Sequence, residues 1–380
     1  MTTPDPRLSE RVRGIEPSGI RRIFELIATM QDPINLSIGQ PDYDPPPALI
    51  EAAHRAMLAG KNRYTVTQGL PELNAGLLDE VAARYGRRPE TCLMTSGVSG
   101  GLVLTFMSLL DPGDEVLLPD PGFVMYRHLA TLCGAKVRYY DLYPRQAGGR
   151  FGVDVAAIEK LVTKRTKILF VNSPSNPTGC VLTRAEIQGL CEVANRHGLF
   201  VVSDEIYDLF CYVDDYASPV SYAEHCIQLG GYSKSYGVPG WRLGFATGPA
   251  SVLDAMKTMQ QFTFVCAPAP FQYALLEAMP AIDLMPHRVQ YRQKRDFIAA
   301  NLHPVYGLLP PEGSFYAFPR LPGAVDSATF LQAALQQKLL IVPGNSFSQR
   351  DTHFRLSFAA DERDLRRGVD VLNDLARQFA

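Results

Sequence analysis

Between Thr91 and Ser203, short apolar runs alternate with helix-like stretches. This constrains the fold more than any other feature of the chain. The runs are Thr91–Thr95, Glu115–Leu118, Lys136–Tyr140, Ile168–Asn172 and Leu199–Ser203. The helical pattern Pro71–Tyr85 precedes them, and turn signals such as Asp111-Pro112-Gly113-Asp114 and helical patterns such as Ser99–Leu110 punctuate them. Strands alternating with helices predict an α/β fold: a mostly parallel sheet covered by helices on both faces. In such sheets ligands collect beyond the carboxyl ends of the strands.

The two ends of the chain have a different texture. Residues 1–13 are polar and read as an arm. In Ile15–Met30 the residues Ile20, Ile23, Phe24 and Ile27 share a helical face, and the short strand Ile34–Ile38 follows. Pro45–Pro47 then break the chain and open a helix at Ala48. Beyond residue 280 come a long helix Met285–Leu302, a strand Tyr316–Phe318, a helix Ser327–Gln337, a strand Phe354–Phe358 and a closing helix Glu362–Phe379. The expected division is an arm with part of a small domain (1–47), a large domain (48–280) and a smaller, discontinuous α+β domain (281–380). The arm is expected to pack with that smaller domain.

A net charge of −2 leaves no basic footprint for nucleic acid. The seven cysteines include no C-x-x-C pair and read as buried thiols in a reducing compartment. No apolar stretch is long enough to cross a bilayer, and the first residues carry no signal-peptide pattern. The expected address is therefore cytoplasmic. The seven histidines show no metal-ligand spacing, so no metal is expected.

Several segments hold polar residues that could carry chemistry. Lys234 lies eight residues before Arg242 in Ser-Lys-Ser-Tyr-Gly-Val-Pro-Gly-Trp-Arg-Leu-Gly, a loop broken by glycine and proline. Lys234 is either a solvated loop lysine or an amine whose pKa burial lowers for nucleophilic work. Arg242 is either a turn arginine or a fork for phosphate oxygens. Asp204 closes an apolar strand. Either it begins a helix with Glu205, or it pairs there with a cation, since a buried carboxylate is costly alone. Asn176 in Ser-Pro-Ser-Asn-Pro-Thr-Gly could simply make a tight turn. The glycine-rich turn Gly97-Val98-Ser99-Gly100-Gly101 joins a strand to a helix and suits a phosphate, but it fits neither a Walker loop nor a dinucleotide fingerprint. Arg355 in Phe-Arg-Leu-Ser-Phe is either a surface ion pair or a two-point clamp for a carboxylate.

In chain order these segments are N-P-T-G, D-E-I-Y and S-K-x-x-x-x-x-G-W-R-x-G, with Arg355 beyond them. Together they resemble the class I and II aminotransferases, the fold-type-I pyridoxal-phosphate enzymes, along nearly the whole chain. The resemblance implies pyridoxal 5′-phosphate as cofactor, with amino acids and 2-oxo acids as substrates. It implies that Lys234 is the Schiff-base lysine and proton shuttle. Asp204 would face the pyridine nitrogen, and Tyr207 and Asn176 the phenolic oxygen. Arg242, Val98 and Ser99 would hold the phosphate. Phe123 would stack on the ring, and Tyr64 would reach the phosphate of a partner in a homodimer. Arg355 would hold the substrate α-carboxylate, assisted by the amide of Gly39.

Two departures from the family pattern stand out. Gly231 occupies a position where many relatives carry a phosphate-binding Ser or Thr, and the turn at Gly97–Gly101 is bare of side chains. Backbone amides are therefore expected to carry more of the phosphate binding. β-Elimination and decarboxylation on the same scaffold are the alternative reactions, and a non-catalytic cofactor binder is a third. Ile15, Ile20, Tyr64 and Phe264 are candidates for an apolar substrate pocket. The sequence does not name the donor.

Overall fold

The computed structural model describes residue 5 and residues 7–15, 30–146 and 148–380. The helix expected over Ile15–Met30, Ile20 included, falls almost wholly outside them. After the short strand β1 (Ile34–Asn35), the chain forms β2 (Thr91–Ser96), β3 (Glu115–Asp120), β4 (Lys136–Asp141), β5 (Thr166–Asn172), β6 (Phe200–Asp204), β7 (Cys226–Gly231) and β8 (Leu243–Gly248). Strands β2 to β8 make one sheet in the order β2-β8-β7-β6-β5-β3-β4. Only β8 runs against the others, pairing antiparallel with both β2 and β7. The mostly parallel sheet is as expected. The alternation of the earlier strands did not disclose β7 and the reversed β8, which lie side by side between β2 and β6 and flank the Lys234 loop along the chain.

Both faces of the sheet are covered, and the strand residues divide between them with period two. Leu169 and Val171 of β5 join one hydrophobic core, together with Leu117, Val201 and Leu243. Ile168 and Phe170 join the other, with Val116, Val202 and Leu229. Proline at the first helical turn starts Pro47–Leu58 and Pro71–Tyr85, where its missing N–H costs nothing. A capping box between Thr183 and Glu186 starts Arg184–His197.

A third core draws on the C-terminal half. It gathers Tyr291, Phe315, Phe330, Phe354, Leu365 and Leu372, and it includes Ile34 and Leu36 from near the N-terminus. Strand β9 (Tyr316–Ala317), β10 (Leu339–Leu340), β11 (Val342–Pro343) and β12 (Phe354–Ser357) belong to this part. β1 pairs with β10 in parallel, which ties residues 34–35 to it. The helical turn Glu10–Arg13 lies against the helix Val124–Leu132. Among the described residues no helix is long and apolar enough to cross a membrane.

Candidate active site

Strands β5, β6 and β7 end side by side, and each hands a polar residue to the same rim. Asn172, the last residue of β5, is in register with Asp204, the last of β6. Asn172 Nδ2 donates to the Asp204 carbonyl at 2.9 Å, and Asn172 Oδ1 accepts from the Asn176 amide at 2.9 Å. This one side chain therefore fixes the loop carrying Asn176 against the strand end carrying Asp204. Lys234 follows β7 by three residues.

The Asp204 carboxylate is buried. It accepts a 2.7 Å hydrogen bond from Tyr126 Oη and a 3.2 Å bond from the Ile206 amide, and among the described residues it has no cation in contact. Burial pushes its pKa up to about 6, against the opposing effect of those two donors. Lys234 is half-buried, and its Nζ donates to the Gly39 carbonyl at 2.7 Å. Burial, with repulsion from Arg242 and Arg355, lowers its pKa to about 8. Near neutral pH a useful fraction of this amine can therefore lose its proton.

Arg355 is 2% exposed on β12 and has no carboxylate partner among the described residues. Nη1 donates to Asn176 Oδ1 at 3.1 Å and Nη2 to the Ser37 carbonyl at 2.6 Å, while Nε has no partner. The guanidinium is sandwiched between the rings of Tyr316 and Phe347, 4.4 and 4.7 Å from their centroids. A buried cation held only by neutral groups is built to receive an anion.

At the other end of the rim, Arg242 is exposed and adopts a left-handed backbone, φ 52°. That conformation costs on the order of 1 kcal/mol for a side chain with a Cβ. It holds the guanidinium over Gly97, where an added Cβ would lie 2.7 Å from Nη2. The helix Gly97–Leu109 begins there, with Val98 and Ser99 in its first turn and no side-chain cap. Its free amides and Arg242 make a cationic seat. Gly244 on β8 crosses so close that a Cβ would lie 2.7 Å from the Gly97 carbonyl carbon. The departure at Gly231 has the same cause, since a Cβ there would meet the Gly244 Cα at 3.1 Å.

The remaining expected residues are placed as follows. Tyr207 is buried, its Oη 3.1 Å from Tyr316 Oη. Phe123 is half-buried and stands edge-on to Tyr126, 5.6 Å between ring centroids. Tyr64 is 81% exposed, and Phe264 is also exposed. It is the carbonyl of Gly39, the acceptor for Lys234, that has a partner in the site rather than its amide. Trp241 stacks on Phe271 and serves packing.

Sequence reasoning missed Tyr126, Asn172, Tyr316 and Tyr43. Tyr126 follows Phe123 by three residues at a helix start, so the two share a face. Asn172 ends an apolar strand just as Asp204 does, which is the same signal. Tyr43, whose Oη meets the carbonyls of Lys234 and Ser235 at 2.6 and 2.9 Å, and Tyr316 have no local signal. Cavities of 460 and 380 Å³ open elsewhere, beside Glu205 and beside His353.

The fold and this rim define a family. The chain belongs to the class I and II aminotransferases, whose family model matches residues 31–372. It is 33% identical over 379 residues to a protein named probable aspartate aminotransferase from Methanocaldococcus jannaschii, covering 97% of this chain and 99% of the relative. It is 33% identical to the aspartate/prephenate aminotransferase of Thermus thermophilus, covering 96% and 97% of the two chains. The solved Thermus thermophilus aspartate aminotransferase with maleate superposes with a TM-score of 0.90 at 32% identity, covering 97% of this chain and 99% of that one.

The family uses pyridoxal 5′-phosphate, and the residues present here fit it. Asp204 is a buried carboxylate short of a cation. The turn at Gly97 and Gly244 is a space that any side chain would fill. Lys234 is an amine of lowered pKa between them.

Proposed function

We propose that this chain is a pyridoxal-phosphate-dependent aminotransferase that moves an amino group from an L-amino acid to a 2-oxo acid in two half-reactions. The observation that carries this reading is the Lys234 amine, lowered to about 8 and set between buried Asp204 and buried Arg355. When bound, the cofactor supplies an aldehyde for an amine and a ring that accepts the electron pair released at the substrate Cα. Asp204 would hold the ring nitrogen, Tyr207 and Asn176 the phenolic oxygen, and Phe123 the ring face. Arg242 with the Val98 and Ser99 amides would hold the phosphate.

The chain's own groups then divide the work. Arg355 orients the amino acid by its α-carboxylate, using the guanidinium that Tyr316 and Phe347 hold flat. Lys234 Nζ, when neutral, takes the proton from Cα and later gives one back. Asp204, kept negative, would hold the ring nitrogen protonated and positive, so that the ring could accept the electron pair left at Cα.

Three further readings belong here. Tyr64 is too exposed to serve its own chain's site, which supports a homodimer in which it serves the partner's phosphate. The division at residues 47 and 280 reads as large and small domains, supported by the separate C-terminal core. A cytoplasmic address fits the seven free cysteines.

The test is to load the protein with pyridoxal phosphate, reduce it with borohydride and map the added mass. The expected site is the peptide containing Lys234. A panel of amino acids is then offered singly while the 2-oxo acid is assayed. Aspartate comes first, because relatives carry it in their names and one was solved with maleate, a dicarboxylate. Stoichiometric oxo acid supports transamination. Ammonia or carbon dioxide in its place would show a lyase or a decarboxylase. Lys234→Ala should lose transamination by about a thousandfold or more.

A further inference from the structure

Tyr316 touches three separate parts of the site at once. Its Oη lies 3.1 Å from Tyr207 Oη, and its ring face carries the Arg355 guanidinium at 4.4 Å. Its hydroxyl also fills the space where residue 39 would place a side chain, since a Cβ on Gly39 would fall 2.0 Å from Tyr316 Oη. Gly39 in turn accepts the hydrogen bond from Lys234 Nζ. Tyr316 is 2% exposed, so its hydroxyl must find a partner inside the protein, and Tyr207 is the one it has. A phenylalanine would fill the same ring space without that demand. A hydroxyl kept at this point, with glycine opposite, has a job beyond packing.

We propose that Tyr316 is a positioning residue that couples the carboxylate-binding Arg355 to Tyr207, the tyrosine that would meet the cofactor's phenolic oxygen. This rests on the function proposed above. Each phenol has one proton. Burial raises the pKa of both phenols and the Arg355 guanidinium opposes it at each, so both stay protonated and either oxygen can be the donor. When Tyr316 donates to Tyr207, the Tyr207 proton is free to point away, toward the cofactor. The ring beneath Arg355 does the second task and keeps the guanidinium planar to the incoming carboxylate. The charged and titratable groups around this pair are Arg355, Lys234, Asp204 with Tyr126, and Arg242 on the rim.

Two variants of the holoenzyme separate the two tasks. Tyr316→Phe removes only the hydroxyl. Weaker support of the cofactor's phenolic oxygen should move the pH midpoint of the cofactor's visible absorbance upward by about half a unit or more. KM for the donor should change by less than about threefold. Tyr316→Leu also removes the ring. It should raise the Kd of a 2-methyl amino acid, which has no α-proton to lose, by about tenfold. An unchanged midpoint in the phenylalanine variant would overturn the proposal, and so would an unchanged Kd in a folded leucine variant. Should the leucine variant fail to fold, the midpoint in the phenylalanine variant decides alone. Wild-type protein that takes up no pyridoxal phosphate would instead overturn the function proposed above, and this coupling with it.

Discussion

Asp204 and Glu205 are adjacent, both carboxylates, and 3% and 2% exposed, yet the molecule treats them oppositely. Glu205 accepts four hydrogen bonds, from Ser203, Ser218, Gln228 and Tyr85, at 2.6–3.0 Å. Asp204 accepts two at its carboxylate. The Glu205 shell is closed, so this carboxylate ties β6 to its neighbours and to the helix Pro71–Tyr85. The Asp204 carboxylate has only two donors, and Lys234 is the cation whose charge acts on it. The arginines show the same contrast. Arg150 is held by Glu186 and Glu312, whereas buried Arg355 has, among the described residues, no carboxylate and an idle Nε. A buried charge left short of partners is a cost that a purely structural role would have removed. In this molecule such shortfalls mark where a ligand belongs.

The sharpest way to break this contrast is to neutralise each carboxylate. Asp204→Asn should lower kcat/KM by about a hundredfold or more, while the apoprotein stays folded. Glu205→Gln should do the reverse: turnover within about threefold of the wild type, and about 1–3 kcal/mol of stability lost in denaturant melts, because one donor would then face an N–H. A glutamine variant that folded normally and was as inactive as Asp204→Asn would erase the distinction.

Apoprotein stability against pH sharpens it further. The Asp204 pKa lies near 6 in the fold against an ordinary 3.8. Between these values the folded chain holds a proton that the unfolded chain has released. The contribution of Asp204 is therefore fully present below pH 3.8 and declines as pH rises through 6, by about 3 kcal/mol in all. Denaturant melts of wild type and Asp204→Asn across this window should differ by that slope. Parallel curves would mean that Asp204 is better solvated than its burial indicates.

The smallest effect concerns the arginines. Arg355→Lys keeps the charge but loses the fork, so KM for the donor should rise about tenfold with a smaller change in kcat. Arg150→Lys should leave KM unchanged.

The sequence by itself determined the sheet class, because apolar runs alternating with helical ones leave a chain few ways to bury both. It also placed Asp204 and Asn176 on one rim, because each follows an expected strand of a parallel sheet and such strands end on the same side, whereas Lys234 joins them through β7, which the alternation did not disclose. Arg355 was legible as a motif residue, but not as a buried cation sandwiched between Tyr316 and Phe347. The reversed β8 was not legible, because its Gly-rich beginning reads as a loop until β2 and β7 pair with it on either side. Which of two adjacent carboxylates is closed off, why Gly244 has no room for a side chain and Gly231 little, and that Tyr126, Tyr43 and Tyr316 complete the site were decided by the tertiary structure alone. The reason is physical. Strand periodicity is a local property of the chain, whereas hydrogen-bond partners and van der Waals room are set by residues far apart in sequence, and they exist only once the cores have packed.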